Sequence, residues 1–247
     1  QGYIAHYSVP IGYSLLSLTK THNTYHQSVA GAFQGYVYSG TADNTEVQLS
    51  RTIHRDKDSK TRVSIAGWQR ASQNFIDDTE IEVQRRKMAG WELGVHHSQR
   101  LNKAALDLDA SYRQGTGIFG SLKAPEEAFN EGTSRPKIVK LTAELNTPFK
   151  TLGKSAHYQG KVRIQANQTP LIPQDRFSIG SAYSVRGFDG ENILAAERGI
   201  SIQNNILFDI PKTQSSAYLG IDYGRVDGSS SGQLIGKELS GAAIGVK

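Results

Sequence analysis

The 247-residue chain contains no cysteine, one methionine and seven prolines. Without a thiol there is no disulfide and no thiolate metal site. No apolar run approaches the eighteen or so residues of a membrane helix, so a helical membrane protein is excluded. Also missing is a basic stripe with interleaved aromatics. Lys and Arg number 28 against 23 Asp and Glu, for a net charge of +5, but they are scattered along the chain. A nucleic-acid partner is therefore not expected. The seven histidines show no metal-binding spacing: His96 and His97 are adjacent and would point to opposite faces of a strand. No serine sits in a G-x-S-x-G elbow. Asp107 and Asp109, two apart, read as a charged wall rather than an acid/base couple. No catalytic residue, metal or cofactor is expected.

What is present is alternation. From 156 to 166, Ala156, Tyr158, Gly160, Val162, Ile164 and Ala166 fall on one side, and His157, Gln159, Lys161, Arg163 and Gln165 on the other. The stretch 104–113 sorts equally cleanly, into Ala104, Leu106, Leu108, Ala110 and Tyr112 against Ala105, Asp107, Asp109, Ser111 and Arg113. From 199 to 210 only Asn204 and Leu207 break the pattern. The whole chain divides into about twelve such strands, with a polar bend at 22–27 and turns at 40–44, 55–59, 99–103 and 211–214. Long loops fall at 115–136, 167–198 and 226–236, and Pro125–Phe129 is expected to form a single helical turn. Alternation alone also fits a soluble sandwich. Strands of ten or more residues, full charges on the polar face and modest, unclustered apolar side chains favour a membrane wall. The expected fold is all-β, a transmembrane antiparallel β-barrel. The mean hydropathy of −0.45 is compatible with it, because only alternate residues meet lipid. Strand parity puts the three long loops outside the cell, together with 43–44 and 74–80, and the short turns on the opposite side.

The loop 167–198 is far longer than a hairpin needs, and such loops inside an ordered sheet are usually functional. Its tip reads Ser184-Val185-Arg186-Gly187-Phe188-Asp189-Gly190-Glu191. A guanidinium carried into a narrow space seeks a carboxylate that it can grip with two parallel hydrogen bonds. Asp222, on the polar face two strands on and flanked by Gly220 and Gly224, is the candidate. Two readings stand at this point: a loop anchored in the lumen by Arg186 and Asp222, or a solvated loop cation and an unrelated wall charge. In the first, Phe188 packs the loop against the wall and Glu191 offers a weaker secondary contact.

The segment Val185-Arg186-Gly187-Phe188 resembles the VRGF/Y signature of the inward-folded loop in the superfamily of barrel assembly factors and two-partner secretion transporters. Gly220-Ile221-Asp222-Tyr223-Gly224 is similar to that superfamily's D-x-G strand motif. Tyr7-Ser8-Val9-Pro10-Ile11-Gly12-Tyr13, Leu49-Ser50-Arg51 and Gln174-Asp175-Arg176-Phe177-Ser178-Ile179-Gly180 resemble more narrowly its haemolysin-activator and contact-dependent-inhibition branch. The resemblance implies a sixteen-stranded barrel in the outer membrane of a Gram-negative bacterium, bathed in outer-membrane lipid and monomeric. It implies export of one large unfolded exoprotein (haemolysin, adhesin or inhibition toxin) with no nucleotide cofactor. It also implies that residues 1–247 are barrel truncated at both ends, covering strands three to fourteen, with the POTRA domains and plug helix absent. The alternatives are a factor that inserts other barrels, or a passive porin or soluble β-domain. A barrel-insertion factor would share the loop signature but not the Tyr-Ser-Val-Pro stretch.

Overall fold

In the computed structural model, residues 2–30, 35–151, 153–191, 193–210, 213 and 215–246 are described. The strands are β1 (Gly2–Ile11), β2 (Ser14–Ala30), β3 (Gly35–Arg55), β4 (Ser59–Ile76), β5 (Thr79–Glu80), β6 (Arg86–Leu101), β7 (Ala104–Thr116), β8 (Lys137–Thr151), β9 (Lys154–Asn167), β10 (Phe177–Ile179), β11 (Leu194–Ala196), β12 (Arg198–Asp209), β13 (Ser216–Asp227) and β14 (Glu238–Val246). They form one twelve-stranded antiparallel sheet in the order β1-β2-β3-β4-β6-β7-β8-β9-β12-β13-β14, with β5 paired to the C-terminal end of β4. The hairpin β10-β11 stands apart from it.

Register explains why alternation reads so cleanly. Asp107, Glu144, Lys161, Gln203, Asp222 and Gly241 are successive cross-strand partners, one inner row running over six strands. One residue along, Leu108, Ala143, Val162, Ile202 and Tyr223 form the matching row on the other face. Because the side-chain period is two, the two faces cannot mix without a slip in register. On the outer face Val47, Leu49, Ile65, Leu93, Val95, Leu141, Leu219 and Ile221 all lie exposed. A sandwich would bury such a face under a second sheet. Among the described residues no second sheet covers it, so the face is built for hydrocarbon and the sheet is the wall of a transmembrane barrel.

The two apparent interruptions of Asn204 and Leu207 resolve differently. Leu207 points inward and is buried opposite Tyr218. Asn204 points outward, where its side-chain oxygen accepts from the Tyr158 hydroxyl at 2.7 Å and its amide donates to the Ile221 carbonyl at 3.2 Å. A polar group facing lipid is tolerated when its bonds are made locally.

The expected turn at 40–44 and bend at 22–27 are not there. Both lie inside continuous strands, β3 and β2, paired residue by residue from Ser14 with Arg51 to Ala30 with Gly35. The local turn residues are overruled because β3 has ladder partners on both edges. Gly40 marks close approach instead: a Cβ there would sit 2.6 Å from the Tyr25 hydroxyl. Asp43, read as a turn residue, bonds His22 across the strands at 2.9 Å. The helical turn at Pro125–Phe129 is a short 3-10 helix.

With 40–44 removed as a turn, the connections still alternate. The steps β2 to β3, β4 to β6, β7 to β8, β9 to β12 and β13 to β14 are made at one end of the sheet, and β1 to β2, β3 to β4, β6 to β7, β8 to β9 and β12 to β13 at the other. If the long loops face the medium, a single cysteine at Ile235, exposed in 228–237, should react with an impermeant maleimide on intact cells. A cysteine at Thr213 should react only after permeabilisation. Labelling in the reverse order would invert the orientation.

Candidate functional site

The loop 168–197 turns back onto the inner face, and its own side chains give it shape. The Ser184 hydroxyl accepts from the backbone N–H of Gly180 and Ser181 at 3.0 and 3.1 Å. The N–H groups of Ser184 and Val185 both donate to the Ser181 carbonyl. These bonds close a tight turn just before Arg186. Val185 is fully buried in a cluster with Phe177, Ile179, Leu194, Ala196 and Val226, which joins the β10-β11 pair to the C-terminal end of β13. Phe188, Leu234 and Leu239 pack around this cluster. The tip is thus seated by apolar burial before any charge is considered.

Arg186 and Asp222 lie together. The Arg186 Nε donates to Asp222 Oδ2 at 2.6 Å, its Nη2 to Oδ1 at 2.5 Å, and its backbone N–H to Oδ2 at 2.9 Å. Its Nη1 donates to the Asn205 side-chain oxygen at 2.6 Å. The Asp222 side chain is wholly buried and that of Arg186 is 17% exposed. A bidentate pair with further donors at this depth offsets much of its desolvation. The tyrosine ring of Tyr218, on the same face of β13, lies 5.9 Å from the guanidinium carbon.

Three glycines make room for the contact. A Cβ on Gly220 would come within 2.8 Å of the guanidinium carbon, and one on Gly224 within 2.9 Å of Ile179 and Val185. A Cβ on Gly241 would overlap the Arg186 carbonyl oxygen. Gly187 takes a φ of +96°, a conformation that favours glycine.

Sequence reasoning missed Gly241, Asn205 and Glu197. Gly241 and Asn205 carried a signal, since both occupy inner-face positions next to Asp222 or Gly220 once register is known. Glu191 is exposed, and its backbone N–H donates to the Asp189 side chain at 2.9 Å. The buried acid of the loop is Glu197, whose carboxylate accepts from the Ser229 hydroxyl at 3.1 Å and from the Ser230 N–H and hydroxyl at 3.2 and 3.0 Å. It fastens the root of the loop to the connection 228–237.

Burial pushes the Glu197 carboxyl up, but hydrogen bonds from the backbone and from Ser230 and Ser229 outweigh it and hold the group below the ordinary glutamate range. A depressed folded value means that the contribution is complete at neutral pH. It fades as pH falls through the unfolded value of about 4.3 toward the lower folded one. Hydrogen exchange at 228–233, corrected for intrinsic rates, should therefore accelerate on acidification. In Glu197→Gln it should be fast at both pH values. An unchanged acid response in that variant would remove Glu197 from the account.

Among the described residues no three His, Asp or Glu side chains are placed to hold a metal ion. What the arrangement offers is a loop tip fixed on the polar face of a barrel wall.

Comparison with known proteins supplies the context. The family model described as haemolysin secretion/activation protein ShlB/FhaC/HecB matches residues 1–247. The chain is 34% identical over 246 residues to the outer membrane transporter CdiB-2 of Burkholderia pseudomallei, covering all of this chain and 42% of that protein. It is 22% identical to the hemolysin transporter protein HpmB of Proteus mirabilis, covering 92% of this chain and 41% of that one. The solved structure of CdiB from Acinetobacter baumannii superimposes with a TM-score of 0.87 at 33% identity, covering 99% of this chain and 43% of the other. The chain thus spans less than half the length of the curated relatives it matches.

Proposed function

Since the chain belongs to the haemolysin secretion/activation family ShlB/FhaC/HecB of outer-membrane transporters, we propose that it forms part of the barrel wall of a two-partner secretion pore. In this reading residues 1–247 belong to a longer transporter, and its cargo is one large, unfolded exoprotein crossing the outer membrane through the lumen. The observation that carries the reading is an apolar outer face and a charged inner face joined by an inward loop tip that is gripped by Asp222. An extended chain needs a polar passage, and the wall supplies pairs such as Lys161 with Glu144 at 2.7 Å and Arg113 with Glu92 at 3.0 Å. Paired charges of both signs hydrate the lumen without holding a single charged segment for long. The anchored loop acts as an element that must be released or bypassed before cargo leaves, with Val185, Arg186, Gly187 and Phe188 as its tip, and Asp222, Gly220 and Gly224 as its seat.

The test is co-expression of the intact transporter with its candidate exoprotein in a Gram-negative host. The expected result is exoprotein at the cell surface only when both are present. Accumulation of correctly inserted outer-membrane barrels as the transporter-dependent phenotype, with no surface exoprotein, would favour a barrel-insertion factor instead.

A further inference from the structure

The stretch Gln174-Asp175-Arg176-Phe177-Ser178 does more than lead into the loop tip. It roofs a cavity of about 280 Å³ on the inner face. The wall beneath contributes Arg70, Arg113, Lys140 and Arg163, and the roof Arg176 and Asp175. Five cations therefore surround one carboxylate.

Three of the cations are already committed. Arg70 bonds Asp175 at 2.9 Å, Arg113 lies 3.0 Å from Glu92, and Arg176 lies 3.8 Å from Glu197. Lys140 and Arg163 have no carboxylate within ion-pair distance among the described residues. Arg163 instead places its guanidinium carbon 5.4 Å from the centre of the Phe177 ring, which holds it at the rim of the cavity. Gln165 fixes the roof by donating to the carbonyls of Asp175 and Glu197 at 2.8 and 3.2 Å. The site is therefore built, and among the described residues two of its cations are left without a close ion pair.

We propose that this cavity binds carboxylate side chains of an extended acidic polypeptide in the lumen, held by Lys140 and Arg163. The proposal rests on the export reading, in which such a chain passes this wall. The spacing of the two cations suits a peptide that presents carboxylates at alternate positions. Lys140 pairs with Gln165, and Thr142 with Arg163, so the two cations are diagonal neighbours on adjacent strands. Such neighbours are about 7–8 Å apart. Carboxylates at alternate positions of an extended chain recur about every 6.6 Å. Two such carboxylates can therefore meet one cation each. The site would hold acidic segments in transit and let neutral ones pass.

The experiment uses the intact transporter, purified in detergent, and a fluorescein-labelled hexaglutamate peptide followed by anisotropy. Hexaglutamate should bind, hexalysine should not, and binding should weaken with added salt. Lys140→Gln should weaken hexaglutamate binding about tenfold, and Lys140→Gln with Arg163→Gln by about a further tenfold. Among the described residues Lys140 makes no hydrogen bond or close ion pair to the roof, so its single variant remains informative if loss of the Arg163–Phe177 contact disturbs folding. Heat-modifiable migration of each variant verifies the barrel. Lys140→Glu should abolish hexaglutamate binding. Equal binding by wild type and Lys140→Gln overturns the proposal, as does displacement of the peptide by inorganic phosphate at equal concentration, which would mark a small-anion site. A wild type that exports its exoprotein yet binds no hexaglutamate sinks this site alone. Charge-dependent hexaglutamate binding by a protein that exports nothing supports the site and sinks the export reading.

Discussion

Arg186→Ala is expected to reduce surface delivery of the exoprotein severely while leaving the barrel inserted in the outer membrane, and Asp222→Ala to do the same. Either change strands one charge of a pair whose carboxylate is wholly buried. Breaking such a pair costs about 3–5 kcal/mol of the anchored state, because the partner left behind is desolvated and unmatched. The Asp222 variant also leaves the Arg186 backbone N–H without its acceptor. The two variants remove one contact, so the double variant should be little worse than either single one. Arg186→Lys should rescue only part of the loss, since an ammonium cannot make two parallel bonds to the carboxylate while a third nitrogen reaches Asn205. Surface exoprotein, measured against the amount of inserted transporter, decides the matter. Strictly additive defects would mean that Arg186 and Asp222 act separately and that the anchored loop is not the functional unit.

Val162→Arg is expected to destabilise the barrel by about 2–4 kcal/mol, while Asp107→Arg leaves folding close to wild type. The comparison is controlled by register. Val162 sits in the outer row that runs through Leu108, Ala143 and Ile202, and Asp107 in the inner row one residue away. The two rows are neighbours in the same ladder and present opposite faces. At Val162 the guanidinium would enter hydrocarbon, whereas at Asp107 it would enter a wet lumen beside Glu144. Urea-dependent folding into lipid vesicles measures both. Equal losses would indicate that neither face meets lipid.

The sequence by itself determined the two faces of the wall. A period of two needs no tertiary information, since successive Cβ atoms must point to opposite sides, and the stretches 104–113 and 156–166 keep apolar and charged residues apart. It also determined which residues at the loop tip could meet a carboxylate, because a guanidinium on a glycine-flanked tip and an aspartate between two glycines are legible as types. The extent of β2 and β3 was not legible. Gly40, Thr41, Asp43 and Asn44 favour a turn locally, and only ladder bonds from both neighbouring strands hold them extended. The rest of the site also waited on the fold. Gly241 meets the Arg186 carbonyl, and Asn205 its guanidinium, through cross-strand register, which sets distances between residues far apart in sequence. Glu197 and Glu191 are alike as residues of one loop. Only the packing of that loop against 228–237 buried the first among hydroxyl and amide donors and left the second in solvent.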